Sequence, residues 1–169
     1  TDTLSIAATA GYLEGEYNEF SVVDNLTDPV TLLPTPTLRD LSHVGFGNDG
    51  DNMTFDVSLM HEMSLSAGGT LASTIGFSFT DEQYYTLENT PSSRTDSYWL
   101  IDARITWHLA NDKTSISLWS TNLADEGYVA NMINQSGTTE IGGTDPSLGM
   151  SADYWGDPRR VGFEVRQVF

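Results

Sequence analysis

The sequence predicts an all-β chain of antiparallel strands, running up and down as part of a transmembrane β-barrel, and three observations carry that expectation. Apolar residues recur with a period of two rather than 3.6. The connections between the alternating segments are long and short by turns. Nearly all of the net charge falls in the long connections, leaving one face of each segment almost uncharged. The 169 residues make one ordinary domain. Their 24 Asp plus Glu against 7 Lys plus Arg give a formal charge of −17. Such a balance argues against a nucleic-acid partner, since phosphate binding rests on Lys and Arg, and against a polybasic patch for lipid headgroups. With no Cys, a disulfide framework, Cys-ligated zinc and a thiol nucleophile are excluded. No run approaches the ~18 apolar residues of a membrane helix, and no signal peptide is legible.

Six segments alternate. The first, 4–13, sets Leu4, Ile6, Ala8, Ala10 and Tyr12 against Ser5, Ala7, Thr9 and Gly11. In 52–62, Met53, Phe55, Val57 and Leu59 alternate with Thr54, Asp56 and Ser58. In 69–79, Leu71, Ile75, Phe77 and Phe79 oppose Thr70, Thr74, Gly76 and Ser78. The clearest is 98–109, with Trp99, Ile101, Ala103, Ile105, Trp107 and Leu109 on one face and Tyr98, Leu100, Asp102, Arg104, Thr106 and His108 on the other. A helix would mix these two sets around its circumference. Segment 114–122 places Ile116 and Leu118 between Ser115 and Ser117. The last, 160–169, puts Val161, Phe163, Val165 and Phe169 on one side and Arg160, Glu164 and Arg166 on the other. Each has about the 9–11 residues that a tilted strand needs to cross a bilayer.

A soluble β-sandwich alternates in the same way. The connections separate the two readings. They span 14–51, 63–68, 80–97, 110–113 and 123–159, or 38, 6, 18, 4 and 37 residues. Outer-membrane barrels have short periplasmic turns and longer extracellular loops, whereas structureless loops beyond ~15 residues are uncommon in compact soluble domains. Loop 14–51 has a net charge of −7, loop 80–97 of −3 and loop 123–159 of −5. Uncharged strand faces are what a hydrocarbon-facing wall requires. The three loops are thus expected to form an acidic outer rim that favours cations. Divalent ions could bridge it to lipopolysaccharide, a cationic or neutral solute could gather there, or the acids could simply keep the surface soluble. Phe169 is expected at the short-turn rim.

Two stretches carry a family resemblance. Asn122 to Tyr128, NLADEGY, resembles the Asn-Leu-Thr-Asp-Glu-x-Tyr motif of TonB-dependent outer-membrane receptors, with Ala124 where that family has Thr. It stands at the top of the penultimate strand, as in the family. The close, GDPRRVGFEVRQVF (Gly156 to Phe169), resembles the family's Gly-x-Pro-Arg…Gly…Phe ending, and its terminal Phe resembles the signal read by the barrel-assembly machinery. GYLEGEYNEF (Gly11 to Phe20) looks like a strand entering an extracellular loop. The resemblance implies that the chain is the last six strands of a barrel of about 22, whose upstream strands and N-terminal plug lie elsewhere. Implied partners are the rest of that barrel, the plug, the TonB energy-coupling complex, outer-membrane lipid and lipopolysaccharide, and a small-molecule substrate. The implied function is active uptake of a scarce solute such as a ferric siderophore across the outer membrane of a Gram-negative bacterium; cobalamin, other metal chelates and oligosaccharides are also carried in the family.

No active site or cofactor is expected. His43, His61 and His108 match no metal-ligand spacing, and no GxSxG elbow is present. Gly47 to Asn52, GNDGDN, partly mimics a calcium loop but has Met60 at the twelfth position, so a plain turn is expected. The substrate-contacting candidates are polar or aromatic side chains of the lumen and loops: Asp102, Arg104, Trp119, Tyr128, Glu164 and Arg166. Asp102 with Arg104, and Glu164 with Arg166, are two apart and share a face; the other reading of these charges is a wall network of paired ions. Trp99, Trp107, Tyr98 and Tyr12 near strand ends fit an aromatic girdle. Two further functions stay open, a passive porin-like channel and a secreted β-sandwich binding module.

Overall fold

The computed structural model describes residues 3–27, 30–31, 33–45, 52–66, 68–111, 113–135 and 150–169. Apart from one 3₁₀ turn, Pro91–Ser93, the regular structure there is β. In chain order the strands are β1 (Thr3–Leu13), β2 (Ser21–Thr27), β3 (Pro34–Asp40), β4 (Asn52–Ser64), β5 (Thr70–Thr80), β6 (Gln83–Tyr84), β7 (Arg94–Thr95), β8 (Tyr98–His108), β9 (Thr114–Thr121), β10 (Val129–Gln135), β11 (Met150–Trp155) and β12 (Arg160–Gln167). Six of them, β1-β4-β5-β8-β9-β12, form one antiparallel sheet in which chain order is spatial order. These are the six alternating segments, within two residues at every end. Among the described residues the sheet does not close on itself, so β1 and β12 are each paired on one side only.

Register keeps the two faces apart. Phe55 lies opposite Phe79, Val57 opposite Phe77 and Leu59 opposite Ile75; Phe77 in turn faces Ile101 and Trp107 faces Ile116. Phe55, Phe77 and Trp99 make an aromatic row, with ring centroids 6.4 and 6.2 Å apart. A one-residue slip would turn every such side chain to the other face. Among the described residues nothing covers this apolar face: Ile105 is 49 %, Leu118 55 % and Phe163 68 % exposed. Among the described residues the one buried hydrophobic side chain is Leu41, far from the sheet's centre in sequence. Tyr12, Trp99 and Trp107 sit near the ends of the apolar face. Tyr98 does not join them, because it shares the polar face with its neighbour Thr80 and stacks on Tyr128 at 4.4 Å.

The short turns are built for tightness. Gly68 and Gly69 have φ of +88° and +89°, and a Cβ on Gly69 would collide with the His108 carbonyl. In the second short turn Asn111 Oδ1 accepts from the amides of Lys113 and Thr114, both at 3.0 Å. The Val168 amide donates to the Lys113 carbonyl at 2.8 Å. Phe169 therefore ends beside this short turn, as the alternation of connection lengths predicts.

The long connections all leave the opposite end of the sheet, and they are not structureless. β2 and β3 pair over seven residues, β10 and β11 form a second hairpin with a bulge between Val129 and Asn131, and β6 and β7 a third, two residues long. The expectation of bare loops is corrected here. Residues 47–51 of the calcium-like stretch, with Asp28, Glu140 and Asp145 of the acidic rim, lie outside the described residues.

Candidate functional site

Of the six sequence-predicted site residues, Arg104, Trp119 and Glu164 come together on the polar face, whereas Arg166 lies at the short-turn end, Tyr128 at the loop end, and Asp102 is tied to Asn122. On the wall, Thr74, Arg104, Trp119 and Gly162 occupy one cross-strand row, since each lies directly opposite the next. Arg104 leans from that row toward the next one, where Nη2 donates to Glu164 at 2.8 Å and to Ser117 at 3.1 Å. Nε reaches Thr106 at 3.4 Å, and Thr106 and Ser117 share a hydrogen bond of 2.9 Å. Arg104 and Glu164 thus anchor a network spanning three strands, but Asp102 and Arg166, which the paired-ion reading also took in, do not join it. Arg104 and Glu164 are each about half exposed, so the pair fixes geometry more than it adds stability. Arg166 shares a row with Ser115 and His108 at the short-turn end, where with Glu62 and Lys113 it borders a shallow concavity of about 400 Å³.

Trp119 has a structural task. Its indole lies over Gly162, whose added Cβ would strike the ring, so a bare backbone on β12 is covered by an aromatic from β9. The same device recurs at the loop end, where Tyr128 lies over Gly156 and the Gly156 amide donates to the Tyr128 carbonyl at 2.8 Å.

Asp102 sits opposite Gly76 on the wall and ties it to the loops. Its Oδ1 accepts the Asn122 amide at 2.9 Å. Asn122 is 4 % exposed and has φ of 47°, a left-handed conformation that Asn tolerates better than most residues. Its Nδ2 donates to the carbonyls of Glu126 at 2.8 Å and Asp157 at 3.1 Å, while Oδ1 accepts the Glu126 amide at 2.9 Å. Asp125 completes the knot: Oδ1 accepts the Arg159 amide at 2.9 Å and Oδ2 lies 3.6 Å from the Arg159 guanidinium. The NLADEGY stretch is thus a lock that joins the end of β9 to the start of β12. Its resemblance to a family motif pointed to these residues, but periodicity could not show what they do.

The loop acids are partly spoken for. Asp24, 5 % exposed, pairs with Arg39 at 2.9 Å across the β2–β3 hairpin, Glu82 pairs with Arg94, and Asp157 with Arg160. The Glu82 carboxylate raises the Arg94 guanidinium above its ordinary value. Asp40 is held below the usual carboxylate range, first by the Ser42 backbone amide, which donates to it at 2.9 Å, and then by the Ser42 hydroxyl. The half-buried Thr86 and the buried Thr90 and Ser93 form a hydroxyl cluster in the 81–97 loop, with bonds of 3.0 and 2.9 Å from Thr86. Tyr85 reaches the Ala130 carbonyl at 3.3 Å and Asn134 donates to Ser92 at 3.0 Å, so this loop is clipped to the β10–β11 hairpin. Sequence reasoning missed these contacts, because isolated Ser, Thr and Asn residues in a loop carry no periodic signal.

Among the described residues no three His, Asp or Glu side chains converge to hold a metal ion. No family model, curated protein or solved structure matches this chain.

Proposed function

We propose that this chain is the C-terminal part of the barrel of a TonB-dependent outer-membrane receptor, which captures a scarce solute with its loops and passes it inward by energised movement of a plug. The observation that carries the reading is the uncovered apolar face. Six strands in chain order present Phe55, Phe77, Ile105, Leu118 and Phe163 with no second sheet against them among the described residues, while Asp56, Asp102, Arg104 and Glu164 share the other face. In water such a surface would drive association; against lipid it needs no cover. The two half-paired edges fit a wall completed by strands supplied from elsewhere in the barrel, since open edges in a bilayer leave backbone groups unpaired. The locked junction between β9 and β12 coincides with the stretch that resembles the receptor motif, which gives that likeness a physical basis. The test is genetic and functional. The full-length protein should fractionate with the outer membrane, and its uptake of solute should stop when the inner-membrane energy coupling is collapsed. Uptake that continues unchanged would indicate a passive channel.

A further inference from the structure

The apolar face of the six-stranded sheet carries one polar interruption near its short-turn end. His61 on β4 lies directly opposite Ser73 on β5, both in the alternation that turns Leu59 and Ile75 to that face. Leu4 and Ile105 flank the pair in the same row and are 65 % and 49 % exposed. Apart from the tryptophans near its ends, the other polar groups on this face have protein partners. Thr114 donates to Gln167, Ser120 to the Thr121 carbonyl at 3.4 Å, and Tyr12 to Glu14 at 3.5 Å. Among the described residues the His61 and Ser73 side chains have none. Side chains directly opposed across a ladder have Cβ atoms about 5 Å apart, so an imidazole N–H and a hydroxyl, both donors, project side by side. Left unpartnered against hydrocarbon, both would cost free energy. Each stands three residues from the strand end at the β4–β5 turn, Ser64 and Thr70. That is about 10 Å along the strand, and about 7 Å of depth for a strand tilted by about 45°. Polar tips lean toward the interface from such a depth. Among the described residues no carboxylate shares the face, since Glu62 turns to the other one opposite Ala72. Two donors without a carboxylate select an acceptor-rich, anionic group, and the apolar surroundings select one attached to hydrocarbon chains.

We propose that His61 and Ser73 form a headgroup site on the lipid-facing side of the wall, where the phosphodiester of one phospholipid accepts hydrogen bonds from both side chains and its acyl chains lie along Leu59 and Ile75. The proposal rests on the receptor reading for the lipid that meets this face. A second copy of the chain seated on the same pair is the competing occupant, and the experiment separates the two.

The full-length protein, held in a maltoside detergent that contains no phosphate, is titrated with phosphatidylglycerol and with a diacylglycerol of the same chains, and native mass spectrometry counts the lipids retained. The wild type is expected to hold one phosphatidylglycerol that the double variant His61→Leu, Ser73→Ala binds at least about tenfold more weakly, two hydrogen bonds having been removed. Diacylglycerol should not distinguish the two proteins. Both substitutions place apolar side chains on an apolar face, so the wall should refold. His61→Gln, which keeps an N–H donor, should retain most of the binding and serves as a second variant. Equal phosphatidylglycerol binding by wild type and double variant, an equal effect on diacylglycerol, or a change of oligomeric state accompanying the loss overturns the site. Energised uptake by the wild type keeps the two ideas apart. Uptake without a lipid that depends on His61 and Ser73 retains the receptor reading and rejects the site, whereas such a lipid without energised uptake does the reverse.

Discussion

Replacing Asn122 by Ala should loosen the junction between β9 and β12 more than any other single substitution on the loop side. The side chain makes three hydrogen bonds, at 2.8, 2.9 and 3.1 Å, from a position that is 4 % exposed. Each is worth roughly 1 kcal/mol net. The φ of 47° adds roughly 1 kcal/mol, because Ala lacks the side-chain bonding that lets Asn occupy the left-handed region. The sum is about 3–4 kcal/mol for opening the lock, lowered where water reaches the freed carbonyls. Hydrogen exchange is the direct assay, since local opening free energies are read amide by amide. The Glu126 amide, which donates to Asn122 Oδ1, should exchange two to three orders of magnitude faster in Asn122→Ala. Amides in the middle of β5, remote from the lock, should be unchanged. Unaltered protection at Glu126, or an equal loss throughout the sheet, would refute the local-lock reasoning.

Three further outcomes follow from the same contacts. On the proposed barrel reading, Ile105→Arg, on the apolar face near the middle of β8, should destabilise the refolded protein by about 2–4 kcal/mol, whereas Thr106→Arg on the other face should cost much less; refolding titrations in lipid vesicles compare them. Asp24→Asn should destabilise the β2–β3 hairpin by about 2–3 kcal/mol, because it removes the carboxylate from a largely buried ion pair whose side chains are 20 % and 7 % exposed; exchange at Val22 and Val23 reads this out. The Asp40 carboxyl, held below its ordinary 3.8 by the Ser42 amide and hydroxyl, contributes to folding above that value and loses the contribution as pH falls through its lower folded value. A carbon-13 titration of the carboxyl should show Ser42→Ala moving its midpoint part of the way back up.

The sheet was legible because its physics is local and repetitive. Eleven residues such as Tyr98–His108 repeat the same in-and-out choice at every step, and an error at one position cannot hide the period. Strand ends were nearly as clear, since Gly68–Gly69 and Asn111 are turn residues with a defined backbone task. The hairpins in the long connections were not. β3 carries Pro34 and Pro36, which ordinarily argue against a strand because proline donates no ladder hydrogen bond; they are tolerated in a two-stranded ribbon with a free outer edge. β10 is interrupted by a bulge at its start, which breaks the alternation where it would be read. At the site, the shared face of Asp102 and Arg104 followed from spacing alone. Their partners did not: the Arg104–Glu164 bond joins positions 60 apart in sequence, and Asn122 reaches Asp157 across 35. The covering of Gly162 by Trp119 likewise depends on register between β9 and β12, which no single strand encodes.

The most direct test of the account uses the lack of native cysteine in this sequence. Single cysteines at Phe77, Ile105 and Leu118, and at Ser78, Thr106 and Ser117, are spin-labelled in the full-length protein reconstituted in lipid vesicles, any cysteine outside this sequence having first been replaced by serine. Relaxation by oxygen, which concentrates in the bilayer, is then compared with relaxation by a water-soluble nickel chelate. The first three labels should respond strongly to oxygen and hardly to the chelate, with the effect largest near mid-strand at Ile105. The second three should show no such lipid signature. Equal response of both sets to the aqueous chelate would contradict the assignment of the apolar face to lipid, and with it the reading of this chain as part of a membrane barrel.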